Sequence, residues 1–554
     1  MPSVKPPLFR SSILRERISI SPVLLTVLAI AFVFSVDNST FWYIASDVFS
    51  GHLLSLIGYM GAVFCLTLGA FSLFAFRWTV KPFLISMLIL AAMTSYYVDT
   101  LGIIVDRDMI QNVMVTTVAE SRHLITLGYV THVVVFGVFP SLFVMWVRIQ
   151  PQRRVKAALT PILTCVLSLA LATGLLMADL KSYSSILRER KDFMSSYQPG
   201  APLVGAIRYA KMMSRSANLV LTSTGLDARA GSAYDAPQKP MLTIVVAGET
   251  ARAQNFSLNG YDVDTNPELS KLPIINFSNT HSCGTATAVS LPCMFSKFSR
   301  DSYTFEKGTS TENVLDVLGH AGLHIEWWDN NTGDKTIAAR FDTRTLTNLK
   351  NPEFCATGEC IDGIFLEPLK EYIASVNKDT VLVLHQIGSH GPTYYQRYPA
   401  EFELFKPACR TAEFKKCTPK EITNAYDNTI AYTDQMLART INMLAANEGL
   451  ATSLIYVSDH GESLGERGLY LHGAPYFMAP ETQTHVPMLL WMSDAFQSRF
   501  GIDESCVAKQ KDKALSHDNL FHSLLGLLDI HTAERNPDLD IFTSCKTNIQ
   551  VAKI

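Results

Sequence analysis

The sequence predicts a chain of two parts, an N-terminal five-helix membrane domain followed by a C-terminal α/β domain, and three observations carry that expectation. Of 554 residues, 48% are hydrophobic and 18% charged, with mean hydropathy +0.16, too apolar for a chain that lies wholly in water. The apolar residues gather in five runs, at 18–36, 52–76, 82–104, 124–147 and 158–180, each close to the ~20 residues a helix needs to cross a bilayer. Beyond them, short β-rich runs alternate with helical patterns, which points to a largely parallel sheet.

The five runs come first in the chain. A cleavable signal would be a single run followed by a small-residue processing site; the first run lacks one and is expected to stay as an anchor. Lys5, Arg10, Arg15 and Arg17 precede the first run, Arg77 and Lys81 follow the second, and Arg148, Arg153, Arg154 and Lys156 follow the fourth. The intervening loops hold no basic residue or only Arg107 and Arg122. Basic residues favour the cytoplasmic side, so the N-terminus is expected inside and the C-terminal half outside the cytoplasm. The net charge of −3 gives no polycation for nucleic acid to recognise.

Cysteines agree with that placement. Cys65 and Cys165 lie in apolar runs, whereas Cys283, Cys293, Cys355, Cys360, Cys409, Cys417, Cys506 and Cys545 all follow them. Three local pairs, Cys283 with Cys293, Cys355 with Cys360 and Cys409 with Cys417, have the short spacings of disulfides in an oxidising compartment, and none has CxxC zinc-knuckle spacing. Spacing does not decide whether Cys506 and Cys545 pair.

The chain is accordingly divided at 1–180 (membrane domain), 181–239 (bridging segment and linker) and 240–554 (catalytic domain). The bridge contains an amphipathic piece at 203–213 and a small-residue stretch at 226–239. In the last part, strands are expected at 241–247, 324–328, 380–384 and 453–457, and helices at 312–320, 362–375 and 423–447. Polar chemistry follows three of these strands: Glu249, His385 to His390, and Asp459-His460. Ligand crevices of open α/β sheets lie at such strand ends.

Glu249, Asp459 and His460 supply two carboxylates and an imidazole, a set suited to a borderline cation such as zinc, and the oxygen of Thr287 in a fourth position would become a better nucleophile. A Ser-His-Asp triad is disfavoured because Asp459 adjoins His460 in sequence and is poorly placed to orient it, and because no Gly-x-Ser-x-Gly elbow is expected. Nucleotide-binding glycine fingerprints are absent. Lys335, His390 and His472, each beside turn residues, could hold a phosphate or a second metal ion; His385 could equally satisfy a buried polar contact.

Four segments carry a resemblance: Gly248-Glu249-Thr250-Ala251-Arg252, Cys283 to Ser296 around Thr287, His385 to Pro392, and Ser458 to Glu466. Together with the five apolar runs they resemble the lipid A phosphoethanolamine transferases, the family that includes the mobile colistin-resistance proteins. The resemblance implies an alkaline-phosphatase-like (sulfatase-type) catalytic domain with one or two zinc ions. It implies Thr287, rather than Thr285, as nucleophile, with Glu249, Thr287, Asp459 and His460 on zinc and Lys335, His390 and His472 on phosphate or a second zinc.

It also implies a donor-headgroup site at Asn112, Thr116 and Glu120, whose i, i+4, i+8 spacing would put them on one helical face. The implied reaction transfers phosphoethanolamine from phosphatidylethanolamine to lipid A of the lipopolysaccharide through a phosphothreonine-type intermediate, conferring polymyxin and colistin resistance. The implied setting is a monomer in the bacterial inner membrane, multi-pass, with a periplasmic catalytic domain. Rival readings are transfer to a core sugar, a periplasmic glucan or a glycoprotein, a lipoteichoic-acid synthase type, and a catalytically inactive membrane binding module.

Overall fold

A computed structural model of the chain describes residues 17–189, 193–217, 219–235, 238–355 and 358–546; Lys5, Arg10 and Arg15 lie outside them. The chain forms two compact units, Met1–Thr100 with Leu127–Leu203, and Leu101–Thr126 with Val204–Ile554. This partition differs from the expected divisions at 180 and 239. Leu101–Thr126 lies between two apolar helices in sequence yet folds with the C-terminal unit, because helix Arg107–Val115 packs on helix Thr287–Met294 and Gln111 donates to the Ala288 carbonyl at 3.4 Å.

In the first unit, Leu53–Ser72, Val80–Leu101, Leu127–Trp146 and Arg154–Ala178 are each long and apolar enough to cross a membrane. The first expected span, 18–36, contains the helix Pro22–Val36, which at 15 residues is too short to count as a span by itself. Pro22–Val36 and Ser39–Val48 meet at 70° and make a fifth span only as a bent pair. Asn38 sits at the bend, donating to Val33 O at 3.0 Å and Gln198 O at 3.1 Å while its own oxygen accepts from the Gln198 N–H at 2.8 Å. Leu53–Ser72 and Arg154–Ala178 lie side by side. A Cβ at Gly61 or Gly69 would stand 3.1 or 3.3 Å from Leu175 or Leu169, so small residues set the close approach, as between helices in lipid.

The second unit is built on an eight-stranded sheet. In chain order its strands are β1 (Met241–Gly248), β2 (Ile275–His281), β3 (His324–Asp329), β4 (Asp342–Thr345), β5 (Thr380–His385), β6 (Ala451–Ser458), β7 (His485–Met492) and β8 (Leu515–Ser516). Their spatial order is β8-β2-β7-β6-β1-β5-β3-β4. The four strands expected from sequence are adjacent in the sheet, in the order β6-β1-β5-β3, and run parallel; β7 alone is antiparallel to both its neighbours. Every residue of β1, β5 and β6 is buried, as strands covered on both faces must be. The expected helices form as Val314–His320, Leu366–Ser375 and Pro419–Ala445, the last opened by a capping box between Thr418 and Glu421.

All three expected disulfides are present, and Cys506–Cys545 forms a fourth. Cys65 and Cys165 are unpaired. Because loop-closure entropy grows with loop length, the Cys506–Cys545 link, spanning 39 residues, should stabilise most, by about 4 kcal/mol against about 2 kcal/mol for Cys355–Cys360. Denaturant titrations of the solubilised protein should therefore rank Cys506→Ser/Cys545→Ser as more destabilising than Cys355→Ser/Cys360→Ser; the reverse order would show that these bonds do not act chiefly on the unfolded chain.

Candidate active site

The site is assembled by strand register. β1 and β6 pair in parallel with Gly248 opposite Ser458, so the residues that follow, Glu249 and Asp459, emerge side by side at the carboxyl edge of the sheet. The Asp459 N–H extends the ladder to Gly248 O at 2.9 Å. Both carboxylates and His460 are 0–1% exposed.

Thr287 arrives from the other side as the first residue of helix Thr287–Met294. Its hydroxyl lies 3.1 and 3.0 Å from the two Glu249 oxygens and 3.2 Å from His460 Nε2. At this position the unsatisfied first-turn N–H groups and the helix dipole favour negative charge. Thr285 has a different partner: its hydroxyl donates to Ala474 O at 2.6 Å.

The arrangement suits a cation. One atom each from Glu249, Asp459 and His460 lies within 4.8 Å of the others. His460 Nδ1 is 2.9 Å from Gly461 O; that acceptor assigns a proton to Nδ1 and turns Nε2 toward the carboxylates, where it can carry a second proton or face a metal ion. Asp459 Oδ2 is buried without a hydrogen bond. Burial raises the Asp459 carboxyl, and the neighbouring Glu249 charge adds to it. Burial also opposes ionisation of Glu249, but the bond and charge of His460 hold that group well below the carboxylate range. For His460, burial lowers the pKa, yet the Asp459 charge and the Glu249 bond overcome it and lift the ring to about 10. The site therefore draws in positive charge, as a proton or a metal ion.

Backbone and polar neighbours lock the carboxylates. Asn331, after β3, donates to Glu249 Oε2 and to Gln386 O, both at 2.8 Å. Gly388, after β5, has φ +50° and packs on the Glu249 backbone, where a Cβ would meet the carbonyl oxygen at 2.4 Å. Only glycine fits so close an approach. Ser290 donates to Asp459 O at 2.5 Å. His517 accepts the Cys283 N–H at Nδ1 (3.1 Å) and donates from Nε2 to Ser458 O (2.9 Å).

A small cavity adjoins Thr287, lined by Asn112, Thr116, Glu120, Lys335 and His390 together with Asn331 and Thr332. The Lys335 ammonium donates to Thr332 O and Oγ1 at 2.7 and 2.6 Å; burial lowers its pKa against the opposing charges of Glu249, Asp329 and Glu120. His390 Nε2 is 3.3 Å from Glu120 Oε1. The His472 ring lies 4.4 Å from that of His460 and 5.3 Å from that of His390, and its Nδ1 is 2.9 Å from Glu462.

Three sequence expectations need correction or completion. Asn112, Thr116 and Glu120 do not share one continuous helix: Arg107–Val115 ends at Thr116, whose ψ is 135°, and Thr117 caps a second helix, Val118–Leu124, by accepting the Glu120 N–H at 3.3 Å. The run Gly461-Glu462-Ser463-Leu464-Gly465 carries the Gly-x-Ser-x-Gly spacing of a nucleophile elbow, against the expectation that no such elbow occurs. Ser463 instead lies in the short strand Ser463–Leu464 with its hydroxyl accepting from Gln483 at 2.8 Å. His385 is fully buried against Asp329 at 2.7 Å, the plain polar contact. Asn331 and His517 were missed because each acts through residues distant in sequence, so no local motif marks it; Glu462 lies inside the Ser458 to Glu466 segment but was given no role.

Residues 63–213 match the family described as phosphoethanolamine transferase EptA/EptB, and residues 242–530 match the sulfatase family. The chain is 41% identical over 481 residues to phosphoethanolamine transferase EptA of Escherichia coli strain K12, covering 86% of this chain and 87% of that one. It is 35% identical over 542 residues to phosphatidylethanolamine transferase Mcr-1 of Escherichia coli, covering 95% and 98%. The solved structure of the integral membrane protein lipooligosaccharide phosphoethanolamine transferase A (EptA) from Neisseria meningitidis superposes with TM-score 0.92 at 36% identity, covering 96% of this chain and all of that one.

The chain belongs to the phosphoethanolamine transferases. The family resemblance read from the four segments and the apolar runs is thereby borne out, as are the helical membrane domain and the sulfatase-type α/β domain. In this transferase the strand edge that holds Asp459 and His460 is tied by His517 to the threonine-bearing loop.

Both ring nitrogens of His517 are engaged as in the neutral imidazole, and burial pushes its pKa down to about 4. The folded pKa lies below the unfolded value of about 6.5, so the stabilisation is complete above about pH 6.5 and is lost as pH falls toward 4, by about 3 kcal/mol in all. The unfolding free energy of wild type should drop across this window, with His522, also near 4, contributing. His517→Gln should be less stable at pH 7 but flatter in its pH profile; an unchanged slope would refute the linkage.

Proposed function

We propose that this transferase moves phosphoethanolamine from phosphatidylethanolamine to a phosphate of lipid A through a phosphoethanolamine ester of Thr287, in a zinc-dependent reaction on the periplasmic face of the bacterial inner membrane. The observation that carries the reading is the Thr287 hydroxyl, held within 3.2 Å of Glu249 and His460 at a helix N-terminus and opening on the cavity of Asn112, Thr116, Glu120, Lys335 and His390. The positions of Arg77, Lys81 and the basic residues at 148–156 support the orientation, and the four disulfides suit the periplasm. The names of the relatives, a phosphatidylethanolamine transferase and a lipooligosaccharide phosphoethanolamine transferase, support donor and acceptor.

The donor set of Glu249, Asp459, His460 and the Thr287 oxygen fits zinc, which when bound supplies Lewis acidity that favours the threonine alkoxide and the charged phosphoryl group. The remaining work falls to the protein. The Thr287 oxygen forms its bond to phosphorus, the bond from phosphorus to the diacylglycerol oxygen breaks, and the threonine proton ends on diacylglycerol. A lipid A phosphate oxygen then forms its bond to phosphorus, the bond from phosphorus to the Thr287 oxygen breaks, and the proton lost by the acceptor phosphate passes to Thr287. The helix N-terminus and Lys335 balance phosphoryl charge, with His390 and His472 binding its oxygens. Glu120 accepts from the donor ammonium, and Asn112 and Thr116 complete the cradle. All these groups come from one chain, so a monomer suffices. The transferred ammonium offsets negative charge on lipid A and weakens attraction for cationic polymyxins such as colistin.

Thr287→Ala should abolish transfer while Thr285→Ala keeps a measurable rate, and trapped protein should carry phosphoethanolamine on Thr287. Mass spectrometry of lipid A from expressing cells reads the acceptor; unmodified lipid A with a modified glucan or core sugar would overturn that choice, and full activity of Thr287→Ala would overturn the mechanism. Chelation should stop turnover without unfolding, because the site sits on a large preformed core rather than nucleating it, and metal analysis should find one zinc per chain. A metal-free preparation with full activity would remove zinc from the reaction.

A further inference from the structure

Glu359 lies in the loop closed by the Cys355–Cys360 disulfide, remote from Thr287 in sequence and outside every motif noted above. Its side chain is only 10% exposed. Oε2 lies 2.8 Å from Arg397 NH1 and 3.2 Å from His123 Nε2. Each partner leads back to the donor cavity. His123 is on helix Val118–Leu124, one turn beyond Glu120, while Arg397, buried to 1% exposure of its side chain, donates from Nε to the His390 carbonyl at 2.7 Å. His390 and Glu120 then meet at 3.3 Å.

The contacts thus close a ring: Glu120, its helix, His123, Glu359, Arg397, His390 and Glu120 again. The loop is fixed from below, since Asn330 donates to Cys360 O and to Asp362, both at 2.9 Å. Asp362 in turn accepts the N–H groups of Ile387 and Gly388 at 3.0 and 2.9 Å. One disulfide-closed loop therefore contacts three elements that reach the cavity.

We propose that Glu359 is a positioning residue for the donor end of the site: from its disulfide-closed loop it holds the helix bearing Glu120 and the loop bearing His390 at the spacing that admits the headgroup. Burial disfavours its charge, but the Arg397 guanidinium more than compensates and keeps the carboxyl below its usual range, so it remains an anion at neutral pH. A buried guanidinium without its carboxylate is strongly unfavourable. Loss of Glu359 must let Arg397 move toward water and carry the His390 backbone with it. The inference rests on the reading of Glu120 and His390 as donor-binding groups.

The test is steady-state kinetics of the detergent-solubilised full chain on fluorescent phosphatidylethanolamine, with metal content and melting temperature measured in parallel. Glu359→Gln should raise KM for the donor by about tenfold with kcat within about twofold and zinc content unchanged. His123→Phe, which cuts only the helix side of the ring, should raise KM in the same direction by less. Combined with Glu120→Gln, Glu359→Gln should add little, because both act on one contact. A fall in kcat at unchanged KM, or fully multiplicative effects in the double variant, would overturn the positioning role. Should Glu359→Gln fail to fold, an unchanged KM in His123→Phe overturns it alone. If Glu120→Gln itself leaves KM unaltered, the donor-site reading has failed; if it raises KM while Glu359→Gln does not, that reading stands and the positioning role has failed.

Discussion

Two carboxylates held side by side out of water are the constraint on which the second unit depends. The in-register pairing of β1 and β6 fixes Glu249 beside Asp459, and neither can turn toward solvent because both are buried. Like charges so placed are costly unless a cation joins them. His460 supplies part of the answer, turning Nε2 inward because Nδ1 is occupied by Gly461 O. The single Thr287 O–H donates to the Glu249 carboxylate, lying about equally close to both of its oxygens. Asp459 Oδ2 remains without one, which makes the site a receptor for positive charge before any substrate arrives.

Such a site requires rigid walls, yet its residues sit on loops beyond the strands. Loop motion is limited here by cross-ties to backbone. The Cys283–Cys293 disulfide closes the segment on both sides of Thr287; Ser290 and His517 then attach that segment to the strand edge that carries Asp459. Gly388 lets the loop after β5 rest directly on the Glu249 backbone. Preorganisation of this kind places the order in folding rather than in the reaction, so dipoles are already aimed where charge develops.

How far the sequence revealed this depended on how local each signal was. β1, β3, β5 and β6 were legible because their apolar runs reflect interior strands. β2 reads Ile-Asn-Phe-Ser-Asn-Thr-His and is only half buried, so its alternation is weak; β4 is exposed throughout at the sheet edge. β7 contains Pro487, which argues against a strand, and the register shifts between Val486 and Met488 around it, the bulge at which a proline is tolerated. Glu249, Asp459 and His460 were legible because they follow recognisable strands. Asn331 and Glu359 were not, because their partners lie dozens of residues away and nothing in the neighbouring sequence announces them.

The segment Asn112 to Glu120 shows how three residues can line one cavity without the local structure that their spacing suggests. On one straight helix, eight residues separate Asn112 from Glu120 by a rise of about 12 Å, too far for both to line one small cavity beside Thr287. The break at Thr116 and Thr117 removes that difficulty. Thr116 leaves the helix with an extended ψ, its hydroxyl bonded back to Asn112 O at 2.7 Å, and Thr117 restarts a helix by capping it. Two β-branched residues, poor in helix interiors but good at caps and extended turns, thus fold the segment so that Asn112, Thr116 and Glu120 face one cavity. The family resemblance named the side chains; the turn between them, rather than a shared helical face, is what makes them converge.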